Sequence, residues 1–266
     1  MDTFYDERDL KALEQDRYTF AVMRRVIKGE SHILLTDHER LILLHTGDPY
    51  PVWVWLPDDA TPEEMEKAWL LIEKHCPPES GLSYNVKYDF ANYMMARARE
   101  NGRELVIDMN MLAYDCPKVN APDTPTDGAL HIATEEDFDD LVNFLDVFHK
   151  EVALYQLSQK EYEDGARNIL KNERMYFWQD KNGRNVACCK CVPDGKLATI
   201  NLVFTRTDCR RHHYAENVVY AATKQALDDG YLPMLYTNAD YIASNACYEK
   251  LGYVSRGKLC TIVMKK

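Results

Sequence analysis

The run Arg210-Arg211-His212-His213 places four cationic or titratable side chains between a strand-like segment, Lys196 to Thr205, and a helical pattern from about His213 to Asp229. The first turn of a helix offers unpaired backbone N–H groups and the positive end of its dipole, so a junction of this kind suits an anion, phosphate above all. Asn245 and Tyr248 stand three residues apart in a second helical stretch and so share a face. A phenol with an ordinary pKa of about 10 keeps its proton at neutral pH and can pass it to a departing group. A third cluster, Cys188-Cys189-x-Cys191, has C-x-x-C spacing between its outer members, and His212 and His213 would complete a zinc-type set. There is no second C-x-x-C, however, and the thiols sit in Asn185-Val-Ala-Cys-Cys-Lys-Cys-Val192, which reads as a strand between turns. Small buried thiols are ordinary in strands, so no metal is expected. His32, His38, His45 and His75 stand singly and read as surface or packing residues.

The elements that must position these residues fall into two parts. Cys116-Pro117-Lys-Val-Asn-Ala-Pro122-Asp-Thr-Pro125-Thr-Asp-Gly128 carries three prolines and little apolar periodicity, and reads as an extended linker over 116–128. Before it, residues 1–115 form an α+β part. A helix is expected over about 7 to 28, with Leu10, Leu13, Phe20, Met23 and Ile27 on its apolar face. Three short strands follow, Ser31 to Thr36, Arg40 to Thr46 and Pro51 to Leu56. Thr61-Pro62-Glu63-Glu64 has the form of a capping box with proline at the first helical position. A further helix, about Tyr84 to Asn101, and a strand, Glu104 to Leu112, complete this part.

In residues 129–266 helix starts are expected at Thr134 and at Ser158, the latter a capping box with Glu161. Strands Met175 to Gln179, Asn185 to Val192 and Lys196 to Thr205 are joined by tight turns. The helix from about His213 ends at Gly230, a glycine cap. Strand Leu232 to Thr237, a short helix from about Ser244 to Leu251, and a last strand toward Met264 follow. The order is β-α-α-β-β-β-α-β-α-β.

The bulk composition narrows the partners. With 266 residues, 46% hydrophobic and 28% charged, the chain is ordinary globular protein of one large or two modest domains. A net charge of -11 disfavours nucleic acid and anionic membrane surfaces, which would repel it. No run approaches the roughly 18 apolar residues of a membrane helix, and the charged start Met1-Asp2-Thr3-Phe4-Tyr5-Asp6-Glu7-Arg8 is no signal peptide. Eight cysteines without such a signal suggest reduced thiols and a cytoplasmic location.

Two segments carry a family resemblance. Asn201-Leu-Val-Phe-Thr205-Arg-Thr-Asp-Cys-Arg210-Arg-His-His-Tyr-Ala215 resembles the acyl-CoA-binding motif of GNAT acetyltransferases, in which a strand runs into Arg/Gln-x-x-Gly-x-Gly/Ala at a helix start. Arg210 and Ala215 fit its ends, while His213 stands where glycine is usual. The more specific match is Leu235-Tyr-Thr-Asn-Ala-Asp-Tyr-Ile-Ala-Ser-Asn245-Ala-Cys-Tyr248-Glu-Lys-Leu-Gly252-Tyr253, which resembles the family's strand followed by Ser-Asn-x-x-Tyr-x-Lys-x-Gly-Tyr. Leu130-His-Ile-Ala-Thr-Glu-Glu-Asp137 resembles a typical opening of these domains.

The resemblance covers about 129–266 and implies a mixed, mostly antiparallel sheet flanked by helices. It implies acetyl-CoA as co-substrate, its pyrophosphate held by Arg210, Arg211, His212, His213, Tyr214 and Ala215. Its pantetheine arm would lie along Val203, Phe204 and Thr205 through backbone groups and against Asn245, beside a bulge that splays two central strands. Tyr248 would protonate the leaving thiolate. Thr199 and Asn201 occupy the region where some members carry a basic carboxylate, and neither is a base. The expected reaction is acetyl transfer to a primary amine of a small molecule or peptide, with residues 1–115 resembling the degenerate GNAT-like companion of a subgroup. The alternatives are a CoA-holding regulator without turnover, motivated by His213, and an interaction protein that binds no CoA.

Overall fold

Val52-Trp53-Val54-Trp55 is apolar at every position, the mark of a strand covered on both faces, and all four residues are buried. They form β3 (Val52–Trp55) in the computed structural model, which describes residues 1–124, 126–153 and 156–265. Pro125 of the expected linker and the terminal Lys266 therefore lie outside the described residues. By its contacts the chain divides into two compact units that interleave along the sequence. The first holds Met1–Ala113, Tyr236–Ile242 and Ser255–Lys266, and the second Tyr114–Leu235 and Ala243–Val254. This cuts across the contiguous division 1–115, 116–128 and 129–266, because the last strand closes the sheet of the first unit.

In the first unit, β1 (Ile33–Thr36), β2 (Ile42–His45) and β3 pair antiparallel in succession. Then come β4 (Tyr84–Val86), parallel to β3, β11 (Val254–Met264), antiparallel to β4, and β5 (Leu105–Asp115). Alternation sends Val52 and Val54 to one face, against Trp69 and Ile72 of α3 (Pro62–His75) and Phe90 and Met94 of α4 (Tyr88–Glu100). Trp53 and Trp55 go to the other, against Leu13 of α1 (Glu7–Leu13) and Met23 of α2 (Ala21–Val26). The capping box at Thr61 and Glu64 forms as read.

Two expectations here need correction. The single helix over 7–28 is broken: α1 ends at Leu13, a 3-10 turn covers Glu14–Asp16, and α2 starts only at Ala21. The break gives Asp16 a place to accept the Trp55 indole at 2.8 Å and the Lys87 ammonium at 2.6 Å, contacts that outweigh helical periodicity. The helix expected from Tyr84 begins at Tyr88, because Tyr84–Val86 is a strand wedged between β3 and β11. His38 is also more than a packing residue. Its ring is buried with Nδ1 2.8 Å from Asp9 and Nε2 3.0 Å from Asp2.

The second unit orders its strands β10 (Leu232–Asn238), β9 (Leu197–Thr205), β8 (Asn185–Asp194), β7 (Arg174–Gln179) and β6 (Ala129–Ile132). All pairs are antiparallel except β10 with β9. One face packs on α5 (Phe138–Phe148) and α6 (Gln159–Asn172) through Phe144, Leu145, Tyr162, Phe177 and Cys188. On the other lies α7 (Tyr214–Asp228), whose Val218 carbonyl accepts the Cys189 thiol. Strand alternation thus turns Cys188 and Cys189 to opposite faces. The stretch after Cys116 is not a free linker. Cys116 N–H donates to Pro233 O and Asn120 N–H to Leu251 O, each at 2.9 Å, which straps it onto this unit.

Candidate active site

β9 is irregular where the sequence analysis places the cofactor arm. Its register on β8 runs from Lys190↔Asn201 to Cys188↔Phe204, so Leu202 and Val203 together face the single residue Cys189. This is a β-bulge, and Leu202 takes a φ of 51° within it. On its other edge, among the described residues, β9 pairs with β10 at Leu197, Ala198 and Thr199. The strand thus begins paired on both edges, and its register with β10 ends at Thr199. Of the three residues expected to line an arm, Phe204 buries its ring against Phe144 and Phe148, which leaves its backbone to contribute. Val203 and Thr205 are half-buried, and the Thr205 hydroxyl is buried without a partner.

Between β9 and α7 the chain makes a 3-10 turn, Thr207–Cys209, and then the turn that carries Arg210 to His213. Arg211 (φ 67°) and His213 (φ 62°) both take the left-handed conformation. Glycine adopts it freely, whereas an L-residue pays about 1–2 kcal/mol. His213 therefore keeps the backbone shape of the usual glycine while adding a ring. It is the N-cap of α7 and provides no side-chain cap, so the N–H groups of the first turn remain available to an anion.

The side chains are less free than their charges suggested. Arg210 gives its guanidinium to Glu151 at 2.5 Å and lies over the Phe204 ring. His213 Nδ1 is 2.9 Å from Glu216, a buried carboxylate in the first turn of α7. His212 stacks on Tyr214, with ring centroids 5.6 Å apart. Tyr214 donates to Asp127 at 2.6 Å, a hydrogen bond that, with burial, pushes its phenol up to about 12. Thr126 Oγ1 donates to His212 O at 2.8 Å, so residues just after Pro125 brace the turn. Ala215 is half-buried in the first turn of the helix.

Asn245 and Tyr248 lie on α8 (Ile242–Lys250), and both are buried. Burial raises the Tyr248 phenol well above its ordinary value, so it stays protonated at any pH the protein meets. Its ring meets Tyr253 edge to face at 5.9 Å. Tyr253 is a packing residue, fully buried with its hydroxyl 2.6 Å from Thr223 Oγ1. Thr199 is buried and Asn201 half-buried, the Asn201 Oδ1 without a partner. Neither is a base, as read.

Sequence reasoning missed Glu151, Glu216, Asp127 and Arg206. Arg206 anchors the end of β9 through Asn185 O at 2.8 Å, Asn143 at 2.9 Å and Asp140 at 3.1 Å. The one local signal was Glu216 in the first turn of a helix, where acidic residues favour the dipole. The others act across long sequence separations and leave no local trace.

Residues 138–253 match the model of the acetyltransferase (GNAT) family. No curated protein matches the chain. Among solved structures, an acetyltransferase from the GNAT family of Colwellia psychrerythraea is 15% identical, with 100% of this chain and 99% of that one covered at a TM-score of 0.61. A GCN5-related N-acetyltransferase from Kribbella flavida is 16% identical over 100% and 97%, at 0.62. A GCN5-related N-acetyltransferase-like protein from Streptococcus suis is 11% identical over 97% and 99%, at 0.58. At such identities these likenesses speak for the fold alone, and they extend it to the N-terminal companion region. No helix among the described residues is long and apolar enough to cross a membrane. Fingerprints, bulged strand and family match agree: the chain carries, in residues 138–253, a domain of the GNAT acetyltransferase family.

Proposed function

We propose that the protein transfers the acetyl group of acetyl-CoA to a primary amine of a small molecule or peptide by direct attack. The observation that carries this reading is the continuity of β9 with α7: a bulged strand that leaves its pairing with β10 runs into an uncapped helix start. Backbone groups at Val203, Phe204 and Thr205, with Asn245, suit the amides of pantetheine. The first turn of α7, with Arg210 through Ala215 around it, suits the pyrophosphate. The amine nitrogen attacks the thioester carbon, and the tetrahedral intermediate expels the CoA thiolate. The attacking nitrogen, positively charged in that intermediate, loses its proton to water, so the product is a neutral amide. Tyr248 passes its proton to the sulfur as it leaves and takes one back from solvent. No metal enters the scheme.

The test is release of free CoA thiol by the full-length protein with acetyl-CoA and a panel of primary amines. Turnover with at least one amine supports the reading. A second reading, a protein that holds CoA without turnover, is favoured by His213 and Glu216 in the phosphate turn. Thermal stabilisation by acetyl-CoA, about 2.7 kcal/mol at 100 times Kd, without thiol release from any amine would select it. Absence of both would leave an interaction protein that binds no CoA.

A further inference from the structure

The segment that follows α5, His149–Ala153, is a single π-helical turn. Such turns are rare and recur at functional sites. This one carries Glu151, whose side chain reaches the segment that leads from β9 to α7. The carboxylate accepts the Thr207 hydroxyl, at 3.0 Å on Oε1 and 3.2 Å on Oε2, and the Arg210 guanidinium, at 2.5 Å on Oε2. One carboxylate thus clasps both sides of the 3-10 turn between the strand and the helix start.

Arg210 is held from the strand side as well. Its Nε donates to Thr205 O at 3.4 Å, and its guanidinium lies 5.8 Å from the Phe204 ring centroid. The group therefore stands where the strand proposed to carry the pantetheine arm gives way to the turn proposed to hold pyrophosphate. A carboxylate at that point has the sign of a phosphate and uses the same donors. The Arg210 and Glu151 side chains are 48% and 37% exposed, so the pair is open to solvent and can exchange partners.

We propose that Glu151 is an internal competitor of the cofactor: it occupies Arg210 in the free protein and surrenders it when the pyrophosphate of acetyl-CoA arrives. The inference rests on acetyl-CoA binding at this turn, with or without turnover. A partner on the same chain acts at a high effective concentration, on the order of millimolar for a short flexible tether. Arg210 is therefore mostly closed, and the cofactor meets only the open fraction with its full affinity. The penalty is the same for every anion that needs Arg210. It matters little to a ligand that also holds β9 and the first turn of α7, and most to a bare anion present near its own Kd. Glu151 thereby keeps small anions off the turn and reserves it for a ligand with other contacts.

The test is calorimetry of acetyl-CoA on the full chain. Glu151→Gln keeps the shape of the clasp and removes its charge. It should tighten binding about three- to tenfold with the thermal midpoint unchanged, since a half-exposed ion pair adds little to folding. Thr207→Val leaves the carboxylate charged but removes its second hold, and should tighten binding about twofold. Glu163→Gln takes a carboxylate from an ion pair with Arg167 on α6 and should give no gain, which separates the clasp from a change in net charge. Equal or weaker binding by Glu151→Gln, beside a parent that binds acetyl-CoA, overturns the proposal and leaves the proposed function standing. A tighter Glu151→Gln with an unchanged Thr207→Val overturns it in favour of plain charge repulsion. If neither the parent nor Glu151→Gln binds acetyl-CoA, the proposal falls together with that function.

Discussion

Each unit contains a turn built on a histidine in the left-handed conformation, and the two turns serve opposite ends. His38 (φ 63°) and His213 (φ 62°) match in backbone and in having Nδ1 close to a carboxylate, Asp9 at 2.8 Å and Glu216 at 2.9 Å. His38 is buried, its second nitrogen meets Asp2, and Thr36 adds a hydroxyl to Asp9 and accepts the His38 N–H. The His38 ring and amide, the Thr36 hydroxyl and the Asp37 carboxylate are all spent on other groups of the protein. The His213 ring is 41% exposed, and the helix start it caps offers no side-chain oxygen to the open N–H groups. Backbone strain costs about the same in both. If the second turn holds phosphate as proposed, what separates the two is whether the donors each creates are already used.

The largest expected effect lies on the structural side. Asp9 is fully buried and joins His38 and Thr36. Asp9→Ala leaves a buried imidazolium short of a partner and should destabilise the protein by about 3–5 kcal/mol in denaturant unfolding. A loss under 1 kcal/mol would remove the distinction, since the first turn would then be no better packed than the second.

Next comes Tyr248→Phe, which keeps the ring and removes one hydroxyl. Loss of a general acid costs about 10²–10⁴-fold, and a thiolate leaves well enough unaided to place the effect near a hundredfold in kcat. Affinity for acetyl-CoA should stay within a few-fold by calorimetry, because the phosphate turn is untouched. Unchanged kcat would take Tyr248 out of the mechanism and weaken the functional reading of the second turn with it.

A smaller effect is the pH response of the first turn. Burial opposes a charge on His38 and Arg8 repels it, but hydrogen bonds and charges from Asp9 and Asp2, with Asp6 at 3.7 Å, raise its pKa above the ordinary value. A raised folded value stabilises fully below the unfolded pKa of about 6.5 and is lost as pH rises through the folded value. Thermal midpoints measured from pH 6 to 9 should therefore decline, and His38→Gln should flatten the decline. A flat profile in the parent protein would show that the cluster holds its histidine without charge.

The smallest effect is expected from His213→Gly. Removal of the ring relieves a left-handed L-residue and opens the turn proposed to hold phosphate, so acetyl-CoA affinity should be equal or a few-fold better. A loss worth about 1.5–3 kcal/mol would mean that the ring itself donates to phosphate.

The sequence made the second turn legible because Asn245, Tyr248, Gly252 and Arg210 to Ala215 lie in short local patterns. Short apolar runs bounded by turn residues likewise revealed β1 to β3, and capping boxes marked α3 and α6. The break at Gln15 to Phe20 was hidden, since Leu13, Phe20 and Met23 keep helical spacing across it while Asp16 is claimed by Trp55 and Lys87, far along the chain. β4 was hidden for a similar reason. Three residues show no period of their own, and Tyr84 is a strand residue only because β3 and β11 flank it. Glu151 and Asp127 carry no local signal at all, since their partners Arg210 and Tyr214 are 59 and 87 residues away.

The place of β11 sets a timetable for biosynthesis. It lies between β4 and β5 in the sheet of the first unit, yet it follows every other described strand in the chain and is made after them. Residues 1 to 113 emerge early but meet a missing strand, so β4 and β5 present unpaired edges throughout synthesis of the second unit. The second unit, nearly contiguous, can collapse while the first still waits. A translating chain thus carries its aggregation hazard in its oldest segment until β11 has been made.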